Sequence, residues 1–157
     1  MNKDFIINDG CLEKYIGDGG DITIPDGVEE IAPQAFENCN SLVSVTIPDS
    51  VTSIGNSAFF GCSSLGSVTI PDGVTSIPTQ FVAFCDNLSC VVLPDRLKTI
   101  EEEAFLGCRS LHEITIPTSV KKFGLNWTSS SAIIIYGKQG SSAEKYAKKH
   151  GIPFVAE

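Results

Sequence analysis

Ile47-Pro48-Asp49-Ser50-Val51-Thr52-Ser53-Ile54-Gly55-Asn56-Ser57-Ala58-Phe59-Phe60-Gly61-Cys62-Ser63-Ser64-Leu65 decides the fold, because most of the remaining chain repeats it. Prolines at 25, 48, 71, 94 and 117 and cysteines at 39, 62, 85 and 108 keep one step of 23 residues. A fixed period of that size marks a solenoid, in which each unit contacts only its neighbours. In Val45-Thr46-Ile47 the alternation is strand-like, with Val45 and Ile47 inward and Thr46 outward. Pro48 has no amide donor, so it closes the strand and turns the chain at Asp49-Ser50. Val51, Ile54, Ala58, Phe59 and Cys62 then return apolar groups inward at helical or 3₁₀ spacing, and Leu65, Val68 and Ile70 complete the inward set. Each coil is expected to be one strand, one turn and a compact convex segment. A single coil buries too little to offset the entropy of ordering it, so stability must come from stacking, with the strands forming a parallel sheet.

Four full units are read at 25–47, 48–70, 71–93 and 94–116. In the third, Pro78, Phe81, Val82 and Phe84 replace the Gly, Ala, Phe and Gly of the unit before, which predicts a local rearrangement of the convex side. In the fifth, Phe123 stands where Ile is expected, Trp127 falls one place before the usual Phe, and Ser131 replaces Cys, as at the end of an array.

The motif Leu-x-x-Val-x-Ile-Pro-x-x-Val-x-x-Ile-x-x-x-Ala-Phe-x-x-Cys-x-x, clearest from Leu42 to Ser64, resembles the BspA-type leucine-rich repeat over about residues 19–137. The resemblance implies an α/β repeat fold, a right-handed leucine-rich-repeat solenoid of 23-residue units with a parallel sheet on the concave face. It also implies an N-terminal hairpin cap, a C-terminal helical cap, and a role in adhesion for surface or secreted proteins of host-associated bacteria and some protists.

The ends read accordingly. Phe5 to Tyr15 is two short apolar runs about Asp9-Gly10, a pair suited to a tight hairpin. It predicts a lid over the first coil, joined through 17–20 to a first regular strand at Asp21 to Ile24. Ala132 to Tyr136 is expected as the last strand of the repeats. Ser141-Ser142-Ala143-Glu144 is a capping box for a helix through about Lys149, with Gly151 ending it and a short strand at Ile152 to Val155. The expected organisation is one domain, with caps at 1–18 and 138–157 around repeats at 19–137.

Composition narrows the function classes. A formal charge of −8 argues against a nucleic-acid partner, which calls for a basic face. No apolar run approaches the roughly 18–20 residues that span a bilayer, so no membrane insertion is expected. The first ten residues lack the long apolar core of a signal peptide, which leaves a cytoplasmic protein if the chain is complete, or a surface or secreted one whose export signal has been removed. The periodic cysteines sit beside large apolar residues and read as buried thiols, which leaves the redox compartment open.

Stacking places equivalent residues about 4.8 Å apart, so site candidates are columns. On the outward strand face run Thr23, Thr46, Thr69, Val92 and Thr115, and beside them Asp21, Ser44, Ser67, Cys90 and Glu113. They offer hydroxyls and little charge, either a plain solvated sheet face or the contact surface for an extended partner. Asp26, Asp49, Asp72 and Asp95, ending at Thr118, form a turn column that suits calcium in appearance only. Pro-Asp turns use Asp on their own backbone, and no second acidic residue recurs. Two histidines without paired cysteine spacing do not suggest zinc, so no metal or cofactor is expected. Cys90 with His112 one place from its equivalent in the next coil could activate a thiolate, but no oxyanion donor or third group accompanies them. Asn87-Leu88-Ser89 and Asn126-Trp127-Thr128 match the short glycosylation pattern and are set aside, and the basic end of the last helix suits its dipole. The expected function is a non-enzymatic module binding a protein or glycan through the concave columns, as a monomer. A spacer within a larger surface protein and, third, a thiol enzyme at Cys90 and His112 are the alternatives.

Overall fold

The computed structural model describes residues 3–129 and 132–157. The chain opens with an antiparallel hairpin of β1 (Phe5–Asn8) and β2 (Cys11–Tyr15), turned by Asp9 and Gly10 at φ 46° and 78°. Two consecutive positive φ values are what a two-residue hairpin turn requires. Each coil then contributes two strands: β3 (Gly20–Thr23) and β4 (Glu30–Ile31), β5 (Leu42–Thr46) and β6 (Ser53–Ile54), β7 (Ser67–Thr69) and β8 (Ser76–Ile77), β9 (Cys90–Val92) and β10 (Thr99–Ile100), β11 (Glu113–Thr115) and β12 (Lys122–Phe123). The chain closes with β13 (Ile134–Gly137), helix α1 (Ser142–His150) and β14 (Phe154–Ala156).

The first strand of each coil pairs in parallel with that of the next from β3 to β9, and β11, β13 and β14 form a separate parallel ladder. The second strands form two further ladders, β2-β4-β6 with β1 at its edge and β8-β10-β12. This second set narrows the expectation of a helical or 3₁₀ convex segment: Ile54 and its equivalents Ile31, Ile77 and Ile100 are buried strand residues, and 3₁₀-type bonds begin only after them.

The physical reason lies in the direction of the amides. A helix needs N–H groups aimed back along its own chain. Here the amides alternate: Ala35, Glu37 and Cys39 donate back three places, to Ala32, Gln34 and Phe36, whereas Gln34, Phe36 and Asn38 donate to the carbonyls of Asn56, Ala58 and Phe60 in the next coil, at 3.0, 2.8 and 2.7 Å, so no continuous helix forms. Ser57, Phe59 and Gly61 donate likewise to Thr79, Phe81 and Ala83. Backbone of alternating hand achieves this. Gln34, Ser57, Gln80, Glu103 and Asn126 all lie at φ 49–60°, and Asn38, Gly61, Phe84 and Gly107 form a second left-handed column at φ 58–73°. Each proline of the 23-residue series starts a turn in which its carbonyl accepts from the residue three places on, as in Val51 to Pro48 at 3.1 Å.

The core is one continuous stack of inward residues, through which an aromatic column runs from the hairpin to the helix. Its steps are Phe5–Tyr15, Tyr15–Phe36, Phe36–Phe59, Phe59–Phe81, Phe81–Phe105 and Phe105–Trp127, with ring centroids 4.6–6.5 Å apart. The expected rearrangement in the third unit reaches the backbone at its start, where Pro78 has no amide to match the bonds of Gly55 to Ile31 and Glu101 to Ile77 and the second ladder breaks between β6 and β8; further on it is confined to side chains. Phe81 reaches the column from the position that Ala58 and Ala104 occupy, while Val82 still donates to Ala104 and keeps the backbone in register. Trp127 makes the same substitution in the fifth unit, where Phe105 donates to it at 2.7 Å. Repetition therefore persists through this coil; Ser131 lies outside the described residues.

The remaining boundaries shift by one or two residues from those expected. Ser141 caps α1 by accepting from the Glu144 amide at 3.2 Å, and Gly151 ends it at φ 67°. Among the cysteines, Cys62, Cys85 and Cys108 are buried, but Cys39 is only half-buried, because it stands in the first coil behind the hairpin rather than behind a full repeat. All six are free thiols.

Candidate functional site

The outward columns of the first sheet are in register. Asp21 pairs with Ser44, Ser44 with Ser67 and Ser67 with Cys90, while Thr23 faces Thr46 and Thr69 faces Val92. Alternation along a strand puts Ile22, Val45, Val68 and Val91 inward and leaves these residues at the surface. Ser44 Oγ donates to Asp21 Oδ1 at 2.6 Å, so the N-terminal end of the column presents a fixed hydroxyl–carboxylate pair. Val92 is 49% exposed where its neighbours carry Thr, an apolar step in a polar strip.

Glu113 and Thr115 do not continue this ladder. They pair on their other edge with Ile134 and Tyr136 of β13, and the sheet is interrupted between β9 and β11. Ile70 N–H donates to Val92 O at 3.0 Å and Ile116 N–H to Tyr136 O at 2.9 Å, whereas among the described residues Leu93 makes no such bond to Thr115, nor does Ile47 to Thr69 within the paired part of the sheet. A groove of about 600 Å³ follows the interruption, with Cys90 and Val92 on one wall, Glu113 and Thr115 on the other, and Tyr136 at its end. Asp95 and Glu157 also line it, and no Lys or Arg does. This extends a larger asymmetry: no Lys or Arg occurs between Tyr15 and Asp95, a span that carries ten carboxylates. The groove is thus an open slot with an apolar step and acidic walls.

Sequence reasoning placed Cys90, Val92, Glu113 and Thr115 on this face but missed Tyr136, Asp95 and Glu157. The long stretch free of cations was the available signal for the acidic character. Nothing in the repeat pattern marks the interruption. Cys90 and His112 are both exposed, and among the described residues neither side chain makes a hydrogen bond. The turn-column aspartates are exposed and set apart, one per coil. Among the described residues no three His, Cys, Asp or Glu side chains converge as a metal site would require. No described helix is long and apolar enough to cross a membrane.

The buried thiols have a structural use. Cys62 Sγ donates to Phe36 O, Cys85 Sγ to Phe59 O and Cys108 Sγ to Val82 O, at 3.1, 3.1 and 3.2 Å. Burial pushes Cys108 up from 9.0 to about 12, and burial with the neighbouring Cys62 pushes Cys39 up to about 11. Such thiols stay protonated and inert.

The BspA type leucine rich repeat region matches residues 6–134 in six copies. Among solved structures, a leucine rich repeat protein of T. pallidum is 33% identical, with a TM-score of 0.79 over 87% of this chain and 70% of that one. A leucine rich cell surface protein from Faecalibacterium prausnitzii is 30% identical, with a TM-score of 0.56 over 87% of this chain and 54% of that one. Pneumococcal vaccine antigen PcpA, 16% identical, shares the fold over 99% of this chain and 45% of its own, with a TM-score of 0.78. No curated protein matches the sequence.

Proposed function

The chain belongs to the BspA-type leucine rich repeat family, and from that premise we propose that it is a recognition module whose groove between β9 and β11 takes an extended segment of a protein partner. Family membership is consistent with a binding or structural module. The observation that carries the finer reading is the interruption of the sheet. It opens a slot of about 600 Å³ at the one point where the outward column turns apolar, at Val92. An extended polypeptide suits such a slot because it can lie across it with alternate side chains entering. Asp95, Glu113 and Glu157 favour a segment carrying Lys or Arg, which meets carboxylates with charge-assisted hydrogen bonds. Thr23, Thr46, Thr69, Asp21, Ser44 and Ser67 extend the contact strip beyond the groove.

The module acts without catalysis, in adhesion or surface recognition, and at the cell surface. Support for the location is the likeness to the cell surface protein of F. prausnitzii. The test is a binding screen of the reduced protein against immobilised matrix proteins and neutral glycans, with a Val92→Arg, Thr115→Arg variant in parallel. Binding to a protein that the variant loses, with thermal unfolding unchanged, is the expected result. Binding that the variant keeps would place recognition elsewhere, and silence across the panel would favour a spacer.

A further inference from the structure

A second cavity of about 530 Å³ lies away from the groove, between α1 and the turn that follows β12. Four residues that carry cationic or titratable nitrogens line it from two elements: Lys121 from the last coil, and Lys145, Lys149 and His150 from the helix. No Asp or Glu lines it. The one acid of α1, Glu144, is already held by Lys148 at 2.8 Å and by the Gly140 amide. Lys121 Nζ reaches only the Thr118 carbonyl, and among the described residues neither Lys145 nor Lys149 has an ion pair. The helix dipole accounts for basic residues in the last turn, Lys148 to His150. It does not account for Lys145 a turn earlier, nor for Lys121 on another element. On a chain of net charge −8, these cations are set together without counter-charge.

The floor of the cavity is apolar. Phe123 stacks on Tyr146 at 4.6 Å and Tyr146 on His150 at 4.2 Å, and this column rests on the buried Trp127, 5.9 Å from Phe123. Leu125 stands 74% exposed beside it. Rings and a leucine next to ammonium groups suit a ligand that has both a C–H face and anionic substituents. We propose that this cleft binds a short sulphated oligosaccharide, with Lys121, Lys145 and Lys149 meeting the sulphates and the Phe123–Tyr146 edge and Leu125 meeting the sugar ring. Its volume lies within the range of small-ligand sites, roughly 300–1,000 Å³.

The test is titration calorimetry of the 157-residue chain with a heparin-type sulphated hexasaccharide, its desulphated counterpart and polyglutamate. Emission of Trp127, the single tryptophan, is read alongside. The sulphated sugar should bind and shift the emission, with affinity falling as salt rises. The desulphated sugar and polyglutamate should bind at least tenfold more weakly. Lys145→Gln with Lys149→Gln should weaken binding about tenfold or more, while Lys3→Gln with Lys138→Gln, an equal change of net charge elsewhere, should leave it intact. No binding of the sulphated sugar, equal binding of polyglutamate, or equal loss in both variants would overturn the assignment.

Discussion

Cys85 Sγ donates to the Phe59 carbonyl at 3.1 Å across a coil boundary, and the same step of 26 residues joins Cys62 to Phe36 and Cys108 to Val82. The carbonyl it meets also accepts the Cys62 amide at 3.3 Å, so the thiol fills the acceptor's second lone pair inside the core. Removing the sulfur takes away a buried donor and leaves a small void. Cys85→Ala should therefore cost about 1–3 kcal/mol, read as a lower urea midpoint. Cys85→Ser, which keeps a donor, should cost less than Cys85→Ala if the hydrogen bond matters more than the volume.

The raised thiols tie stability to alkaline pH. Below pH 9 Cys108 is protonated in both folded and unfolded chains, and its contribution is complete. Between 9.0 and about 12 the unfolded chain ionises first, so stability falls as pH rises through that window. Cys39 does the same up to about 11, and burial raises Tyr146 in the same sense. Urea midpoints taken from pH 8 to 11 should decline, and Cys39→Ala with Cys108→Ala should flatten the decline. An unchanged slope in that variant would mean that other groups govern it.

Phe84 occupies a left-handed position, φ 60°, in a column otherwise held by Asn38, Gly61 and Gly107. Its ring lies over Gly107, where an added Cβ would come within 2.7 Å of Phe84 Cδ1, and against Phe60 at 5.4 Å. Gly107→Ala should cost about 2 kcal/mol from its own positive φ and from the collision. In a Phe84→Ala background the cost should shrink by about 0.5–1 kcal/mol, the coupling of contacting residues. Strictly additive values would show that the ring yields freely.

How far the repeats could be read follows from what a side-chain pattern records. Pro48, Val45, Ile54 and Cys62 each recur for a reason visible in one coil, so solenoid, register and inward set were legible. The convex segment was not, because Ala58, Phe59 and Cys62 have the spacing of a helix turn whether their amides point along the chain or to the next coil. The left-handed positions at Gln34, Ser57 and Gln80 carry no glycine to announce them. Phe81 and Trp127 looked like failures of the repeat, yet a ring can enter the aromatic column from either of two adjacent positions. The strip of outward Ser and Thr was legible residue by residue, whereas the groove depends on β9 and β11 failing to pair, a matter of backbone placement that no side chain records.

The groove account is tested most directly by hydrogen exchange of the protein with and without a bound protein partner from the screen. It predicts that, without partner, amides at 91–93 exchange faster than their equivalents at 68–70, since Leu93 lacks the bond that Ile70 makes to Val92. It predicts that the partner slows exchange at 90–93 and 113–116 and leaves the turn column at 26, 49 and 72 unchanged. Protection confined to the convex turns or the terminal helix would contradict it.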